Sequence, residues 1–226
     1  MTTPSENKAP QQTRVLLVED HPMFREHLAL LVNKDPEMQV CGEADNIQQA
    51  MEIILNTQPH IALVDISLRG SSGLELIKDL SAQGIDLPVL VLSMHDEKLY
   101  AERVLRAGAR GYISKNQASS VVLAAIRAVL AGEIFLSKDM TAKIIGRISL
   151  PSRKHAPEFS VESLADRELE VFHLIGSGRT LKEIAALLNL GESTVDTYRA
   201  RIKEKLGLRN AAEVYLRAGQ WVKEQA

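Results

Sequence analysis

The chain has 226 residues, a formal net charge of -2 and 45% hydrophobic residues, values typical of a globular protein with one large or two small domains. Its single cysteine, Cys41, excludes an internal disulfide, and we expect it in a core. No apolar run approaches the roughly 18 residues of a membrane span, and the N-terminus lacks the apolar segment of a signal peptide. We therefore expect a cytoplasmic protein without membrane contact. Any nucleic-acid contact must come from a local basic patch.

Strands and helices alternate over the first half of the chain. Short apolar runs predict strands at 15–18, 38–42, 60–64, 88–93 and 111–114. Helical spacing of apolar residues predicts helices at 24–32, 47–56, 74–80, 98–106 and 119–130. Strict alternation requires crossover connections, so the fold class is α/β with a five-stranded, doubly wound parallel sheet.

The second half contains no predicted strand. Residues 137–148 have the spacing of a short amphipathic helix, and 149–160, with two prolines, have the composition of a linker. About four short helices follow from Leu164, which predicts an all-α domain. The predicted organisation is a disordered N-terminus at 1–12, an α/β domain at 13–132, a helical or flexible linker at 133–158 and the all-α domain at 159–226.

Charged and polar side chains follow four of the predicted strands. Glu19 and Asp20 follow the first, Asp65 the third, while Ser93 and Lys115 stand at the ends of the fourth and fifth. Taken singly, each acid is more often a cap or turn residue, and the lysine a solvated one. We expect all of them to lie on one edge of the sheet, here called the rim, because parallel strands end at the same edge. Ligands of open α/β sheets bind at that edge. Clustered carboxylates repel each other unless a cation lies among them, which predicts Mg²⁺.

Four segments, "VLLVEDHPMFRE", "ALVDISLRGSSGLELI", "VLVLSMHDE" and "ARGYISKN", resemble the receiver domain of bacterial two-component response regulators in order and spacing. The resemblance implies a CheY-like (flavodoxin-like) fold and phosphorylation by a sensor histidine kinase. The implied roles are Asp65 as phosphoacceptor; Glu19, Asp20, Asp65 and the Ser67 carbonyl as Mg²⁺ ligands; Ser93 and Lys115 as phosphoryl contacts; and Tyr112 as the mobile aromatic of the switch.

The receiver pattern has one departure. Lys115 is followed by Asn116, where the family often has proline and a cis peptide bond. A cis bond before a residue other than proline costs roughly 3–4 kcal/mol, which leaves the local loop geometry open.

The all-α half contains the pattern of a helix-turn-helix. Thr180 and Glu183 form a T-x-x-E capping box, which opens a helix with an apolar stripe. A turn at 189–191 leads to a second helix at 192–206. One arc of this helix is core-facing, the opposite arc is small and polar, and basic residues flank the latter. The core-facing arc carries Val195, Tyr198, Ile202 and Leu206. The opposite, small and polar arc carries Ser193, Thr197, Ala200 and Glu204. The flanking basic residues are Arg199, Lys203, Arg201 and Lys205.

About 60 residues of this half resemble the LuxR-type helix-turn-helix of NarL/FixJ-like response regulators. The resemblance implies binding to double-stranded DNA and a homodimer formed through the last helix, which begins at Asn210. The implied contacts are Asp196, Thr197 and Ala200 to bases, and Thr194, Arg199, Arg201 and Lys203 to phosphates.

The helix-turn-helix pattern also has departures. Asp196 stands where a lysine is common and Tyr198 where a histidine is common. An acid beside the groove either reads cytosine amino groups or selects against phosphate proximity. Ala165 replaces the usual threonine cap of the first helix, so Asp166 or Ser163 is expected to cap it.

Three functions are compatible with the sequence. The first is a transcription factor, not an enzyme, whose DNA binding is controlled by phosphorylation of Asp65. The second is an aspartyl-phosphate enzyme of the haloacid-dehalogenase type, which would require a D-x-D pair after the first strand. The third is a DNA-binding protein whose receiver is a dimerisation scaffold and is never phosphorylated. The full set of rim residues favours the first, and the polar linker favours control by release and dimerisation of the DNA-binding domain.

Overall fold

The computed structural model describes residues 12–68, 71–94, 97–149 and 159–225. The chain forms two compact units, one built mainly from residues before Lys138 and the other mainly from residues after it. Within the described ranges, no helix combines the length and the apolar character that a membrane span requires. The predicted disordered N-terminus, except for residue 12, and residues 150–158 of the predicted linker lie outside the described ranges.

The first unit contains one five-stranded sheet and five helices in alternation. The strands pair in parallel in the order β2-β1-β3-β4-β5, which confirms the predicted doubly wound sheet. Predicted and observed bounds differ by at most two residues. The elements are β1 Thr13–Val18, α1 Pro22–Asn33, β2 Met38–Ala44, α2 Ile47–Thr57, β3 Ile61–Asp65, α3 Gly73–Ala82, β4 Val89–Ser93, α4 Glu97–Ala107, β5 Gly111–Ser114 and α5 Ser119–Leu130, with two-residue strands Ser67–Leu68 and Ser71–Ser72 between β3 and α3.

The central strands are buried on both faces. Every residue of β3 and β4 is buried, which is why these strands are continuous apolar runs in the sequence. In β1, Val15 and Leu17 pack into a core with residues of α1 and α5, whereas Leu16 points to the opposite face, because side chains alternate along a strand. Cys41 lies on β2 at the sheet edge and is only half-buried, so its predicted place in a core is wrong.

The second unit is helical, as predicted. Its elements are α6 Lys138–Ser149, a short 3₁₀ turn at Val161–Ser163, α7 Asp166–Gly176, α8 Leu181–Leu187, α9 Glu192–Lys205 and α10 Ala211–Gln225. The predicted helix at 137–148 is thus α6, whose Met140 is buried while Ile145 is exposed.

The N-terminus of α7 is capped differently from the prediction. Ala165 itself occupies the N-cap position, and Glu168 accepts a hydrogen bond from its backbone N–H at 2.7 Å. The Ser163 hydroxyl instead donates to the Ser160 carbonyl at 2.6 Å. The expected cap by Asp166 or Ser163 is therefore wrong, because a buried glutamate one turn into the helix satisfies the first backbone donor.

Helices α7 and α10 pack closely at Gly176. A Cβ atom added there would lie 2.4 Å from the Ala218 carbonyl oxygen and 2.6 Å from a methyl group of Val222. Only glycine permits this approach of two helices. The pair Phe172 and Trp221, with ring centroids 5.5 Å apart, belongs to the same contact between α7 and α10.

We expect Gly176→Ala to destabilise the second unit by about 1–3 kcal/mol, because the new methyl group overlaps backbone that cannot move aside cheaply. The matched control is Gly219→Ala in α10, where an added Cβ meets nothing closer than 4.0 Å. Trp221 is the only tryptophan of the chain, so denaturant titration followed by its fluorescence reports this unit. Equal unfolding midpoints for the two variants would contradict the close-packing interpretation.

Candidate functional site

The carboxyl ends of four neighbouring strands carry the predicted rim residues. Glu19 and Asp20 follow β1 directly, Asp65 is the last residue of β3, Ser93 ends β4 and Lys115 follows β5. Since β1, β3, β4 and β5 are adjacent in the sheet, their ends meet on one edge, next to the switch in strand order at β1 and β3. Glu19, Asp20, Asp65 and Ser93 are all buried there.

Lys115 lies between two of the acids. Its Nζ atom is 2.8 Å from Asp65 Oδ2 and 2.6 Å from Glu19 Oε2, and it lies 4.6 Å from the centre of the Phe24 ring. The ammonium thus balances part of the buried negative charge and gains a cation–π contact. The described residues contain no cis peptide bond, so the link to Asn116 is trans. Lys115 reaches Asp65 without the proline that the family often has.

His21 was not among the predicted site residues. Its Nδ1 atom is 3.0 Å from Glu19 Oε1 and 2.8 Å from Asp20 Oδ1, and its backbone N–H donates to Glu19 Oε1 at 3.0 Å. Arg25 was also missed: its Nη1 donates to the Glu19 carbonyl at 2.6 Å. The only sequence signal for His21 was its position directly after two acids.

Burial raises the pKa of Asp65 from its ordinary 3.8 to about 6. Lys115 acts in the opposite direction as the largest opposing influence, and the charge of Glu19 raises the pKa further. The Ser67 backbone N–H, which donates to the carboxylate, lowers it. At neutral pH the Asp65 carboxyl is therefore mostly ionised, which is the state a nucleophilic oxygen requires.

The chemistry of the rim fits a hard divalent cation. Glu19, Asp20, His21 and Asp65 each offer one ligand atom, and these atoms lie within 4.8 Å of one another. Carboxylate oxygens supplemented by water and phosphate oxygens are the usual ligands of Mg²⁺. The geometry supports the expectation of a metal site, with His21 as an added neighbour of the predicted ligands.

Two further predicted residues have defined places. Tyr112 is the second residue of β5, opposite Val91 of β4 in the sheet register, and its side chain is buried. Ser67 begins the two-residue strand after β3.

In the second unit, α8 and α9 form the predicted helix-turn-helix. Glu183 Oε2 accepts from the Thr180 backbone N–H at 2.8 Å, and Thr180 Oγ1 accepts from the Glu183 N–H at 3.3 Å, which completes the capping box. The turn passes through Asn189, whose φ of 57° lies in the left-handed region that asparagine tolerates. Gly191 then caps α9.

The two faces of α9 differ as predicted. Val195 and Ile202 are fully buried and Leu206, directly after the helix, is buried, whereas Tyr198 is only half-buried. The predicted DNA contacts lie on the other side. Thr194, Asp196, Thr197, Ala200 and Arg201 are exposed, and Arg199 and Lys203 are partly exposed.

Two cations of α9 are paired with carboxylates of this unit. Lys205 Nζ lies 2.7 Å from Glu168 Oε2, a buried group of α7, so Lys205 ties α9 to α7 and does not simply flank the polar arc. Arg199 forms an ion pair with Asp196, one turn earlier on the same helix.

Comparison with known proteins assigns both units. A family model described as the response regulator receiver domain matches residues 15–127, and one described as bacterial regulatory proteins of the luxR family matches residues 162–218. The chain belongs to the two-component response regulators of the NarL/FixJ class.

Two sequence relatives match this response regulator over most of its length, and one solved structure matches it over part of its length. The transcriptional regulatory protein LiaR of Bacillus subtilis is 34% identical over 206 residues, covering 89% of this chain and 95% of LiaR. The nitrate/nitrite response regulator protein NarL of Escherichia coli is 30% identical over 211 residues, covering 93% and 95%. A crystal structure of a LuxR-family two-component response regulator from Aurantimonas sp. SI85-9A1 has a TM-score of 0.57 and 29% identity, covering 62% of this chain and all of that one.

These matches confirm the predicted fold class and the predicted combination of a receiver domain with a LuxR-type DNA-binding domain. The response regulator has a receiver domain and a LuxR-type DNA-binding domain, consistent with two-component regulation of transcription. The α/β and helical units described above correspond to these two domains.

Proposed function

We propose that phosphorylation of Asp65 by a sensor histidine kinase controls the binding of α9 to specific DNA sites. The observation that carries this proposal is the buried Asp65 carboxylate, 2.8 Å from Lys115 Nζ, on the sheet edge where the acids Glu19 and Asp20 also lie. The chain is then a regulator and not an enzyme. We place it in the cytoplasm, because it must reach both a kinase and chromosomal DNA.

The phosphoryl transfer requires few groups. An Asp65 oxygen attacks the phosphorus of the kinase phosphohistidine, the P–N bond breaks, a P–O bond to Asp65 forms, and the histidine leaves with the electron pair. Glu19, Asp20, Asp65 and the Ser67 carbonyl would hold Mg²⁺, which would supply positive charge to the phosphoryl oxygens.

The remaining rim residues hold the product and couple it to the sheet. Lys115, now facing a doubly charged phosphoryl group, forms a charge-assisted contact with it, and the Ser93 hydroxyl donates a hydrogen bond. We propose Tyr112 as the switch residue because it lies buried on β5, next to the strand that ends in Ser93. The phosphoryl group acts as a switch by favouring one of two arrangements of these side chains.

We propose domain bounds of 13–132 for the receiver and 159–226 for the DNA-binding domain, with residues 133–158, which include α6, between them. We also propose a homodimer through α10. This helix buries Val214, Ala218 and Trp221 within its unit and exposes Leu216 on its other side.

We further propose that Asp196, Thr197 and Ala200 face bases and that Thr194, Arg199, Arg201 and Lys203 contact phosphates. Lys203→Ala should weaken binding to every duplex and reduce the salt slope by about one unit, because one phosphate contact is lost. Thr197→Ala should change the preferred sequence instead. Its hydroxyl donates to the Ser193 carbonyl at 2.9 Å and keeps its acceptor capacity for a base.

Selection from a random duplex library, followed by salt titration of the selected duplexes, distinguishes these two roles. Identical selected sites for Thr197→Ala and the wild type would remove Thr197 from base recognition. An unchanged salt slope for Lys203→Ala would remove its phosphate contact. A wild-type protein that selects no duplex, with or without phosphorylation, would contradict the proposed function.

A further inference from the structure

The recognition helix α9 has less free positive charge than its sequence suggests. It carries four basic residues and three acids. Of the basic residues, Lys205 is paired with Glu168 and Arg199 with Asp196. Among the described residues, no carboxylate lies at ion-pair distance from Arg201 or Lys203, which leaves these two as the cations without such a partner.

The two ion pairs differ in their surroundings. Glu168 is buried and also accepts from the Ala165 N–H, so the Lys205 pair belongs to the packing of α7 against α9. Asp196 is 54% exposed and Arg199 is 25% exposed, on the side of α9 away from the core. The carboxylate of this pair is mostly exposed, and an ion pair with a solvent-exposed partner contributes only about 0–1 kcal/mol to stability, so folding alone gives little reason for an acid at position 196.

We infer that Asp196 is a specificity-determining residue that weakens the binding of non-cognate DNA by competing with phosphates for Arg199. This inference rests on the proposed function, because it concerns the same helix and the same ligand. The acid holds the guanidinium in the free protein, and a phosphate must displace it before Arg199 can contact the backbone. Displacement leaves a negative charge close to the phosphates of any duplex.

A cognate site can compensate this charge, whereas a random site cannot. The amino group of a cytosine in the major groove donates a hydrogen bond to a carboxylate, which makes an acid tolerable at one base pair and unfavourable at the others. Asp196 therefore lowers the affinity for random DNA more than the affinity for the preferred site. The effect acts on the ratio of the two affinities, the quantity on which specificity depends.

The test measures that ratio in the full chain. The affinities of wild type and Asp196→Asn are determined by fluorescence anisotropy on two labelled duplexes, one random and one selected from a library by the wild type. We expect Asp196→Asn to bind the random duplex about two- to fivefold more tightly, as expected for loss of a surface charge interaction. Its affinity for the selected duplex should stay equal or fall, so that the ratio decreases.

Glu204→Gln is the charge-matched control. Glu204 is exposed on the same helix, and no cation among the described residues forms an ion pair with it. This change should raise both affinities by the same factor and leave the ratio unchanged. Asp196→Asn introduced into Arg199→Gln should gain less on the random duplex than it gains alone, because the competition has lost its target.

The measured ratio of affinities either supports the inference or contradicts it. A ratio in Asp196→Asn equal to that of the wild type overturns the inference, and so does an equal decrease in Glu204→Gln, since bulk charge would then explain the effect. If the wild type binds no selected duplex at all, the proposed function itself fails. The fluorescence of Trp221 on unfolding confirms that each variant is folded.

Discussion

Asp65→Asn is expected to gain no phosphoryl group, whereas the wild type gains one, when each is incubated with Mg²⁺ and a small phosphodonor and then weighed intact. The carboxamide has no anionic oxygen that could attack phosphorus. The effect is a complete loss. The substitution preserves the size of the side chain, so the buried end of β3 should keep its packing.

The control for this result is Asp86→Asn. Asp86 is 88% exposed, pairs with Arg110 at 3.1 Å and precedes β4, at the opposite end of that strand from the rim residue Ser93. It should be phosphorylated like the wild type. Modification of Asp65→Asn at the wild-type rate would show that Asp65 is not the acceptor, and peptide mapping would then locate the true one.

The second large effect concerns the metal. Glu19→Gln combined with Asp20→Asn should lower the affinity for Mg²⁺ by at least about 100-fold, since both substitutions replace a carboxylate ligand by a neutral amide. Titration calorimetry on the unphosphorylated protein measures this directly. Glu43→Gln is the control, because Glu43 pairs with Arg25 at 3.2 Å and is not one of the clustered ligand groups. Unchanged Mg²⁺ affinity in the double variant would exclude Glu19 and Asp20 as ligands.

The same double variant shows how the structure changes an expectation about stability. Carboxylates considered alone repel each other, so their removal would stabilise the metal-free protein. In the structure, Glu19 Oε2 lies 2.6 Å from Lys115 Nζ, and Glu19 Oε1 accepts from His21. Removal of Glu19 therefore also removes a favourable partner of a buried lysine, and this loss offsets the relief of repulsion.

The element pattern of this protein could be predicted almost completely from its sequence. The buried strands β3 and β4 are continuous apolar runs because helices cover both faces of the sheet, and such runs are recognisable without a structure. The predicted rim residues follow from the same fact, since parallel strands end at one edge. The Thr180–Glu183 capping box likewise was predicted and is present, because both partners are close in the sequence.

The contacts that depend on distant residues could not be predicted. Phe24 faces the Lys115 ammonium from α1, and Lys205 reaches Glu168 in α7. Neither pair has a sequence signal, because the two partners of each pair are far apart in the sequence. The N-cap of α7 was predicted wrongly for a related reason: Ala165 lacks a capping side chain, and a glutamate at N3 satisfies its N–H instead.

Periodicity and chain neighbours were enough to predict the order of elements, the parallel sheet, the residues at the strand ends and the helix-turn-helix. The pairing of charged side chains could be seen only in the folded chain. In the fold, Lys115 has two carboxylate partners and His21 lies beside the acids. Burial raises the pKa of Asp65 to about 6, and two of the four cations of α9 form ion pairs. The physical reason is that burial and ion pairing depend on distances between side chains, which residue spacing along the chain does not fix.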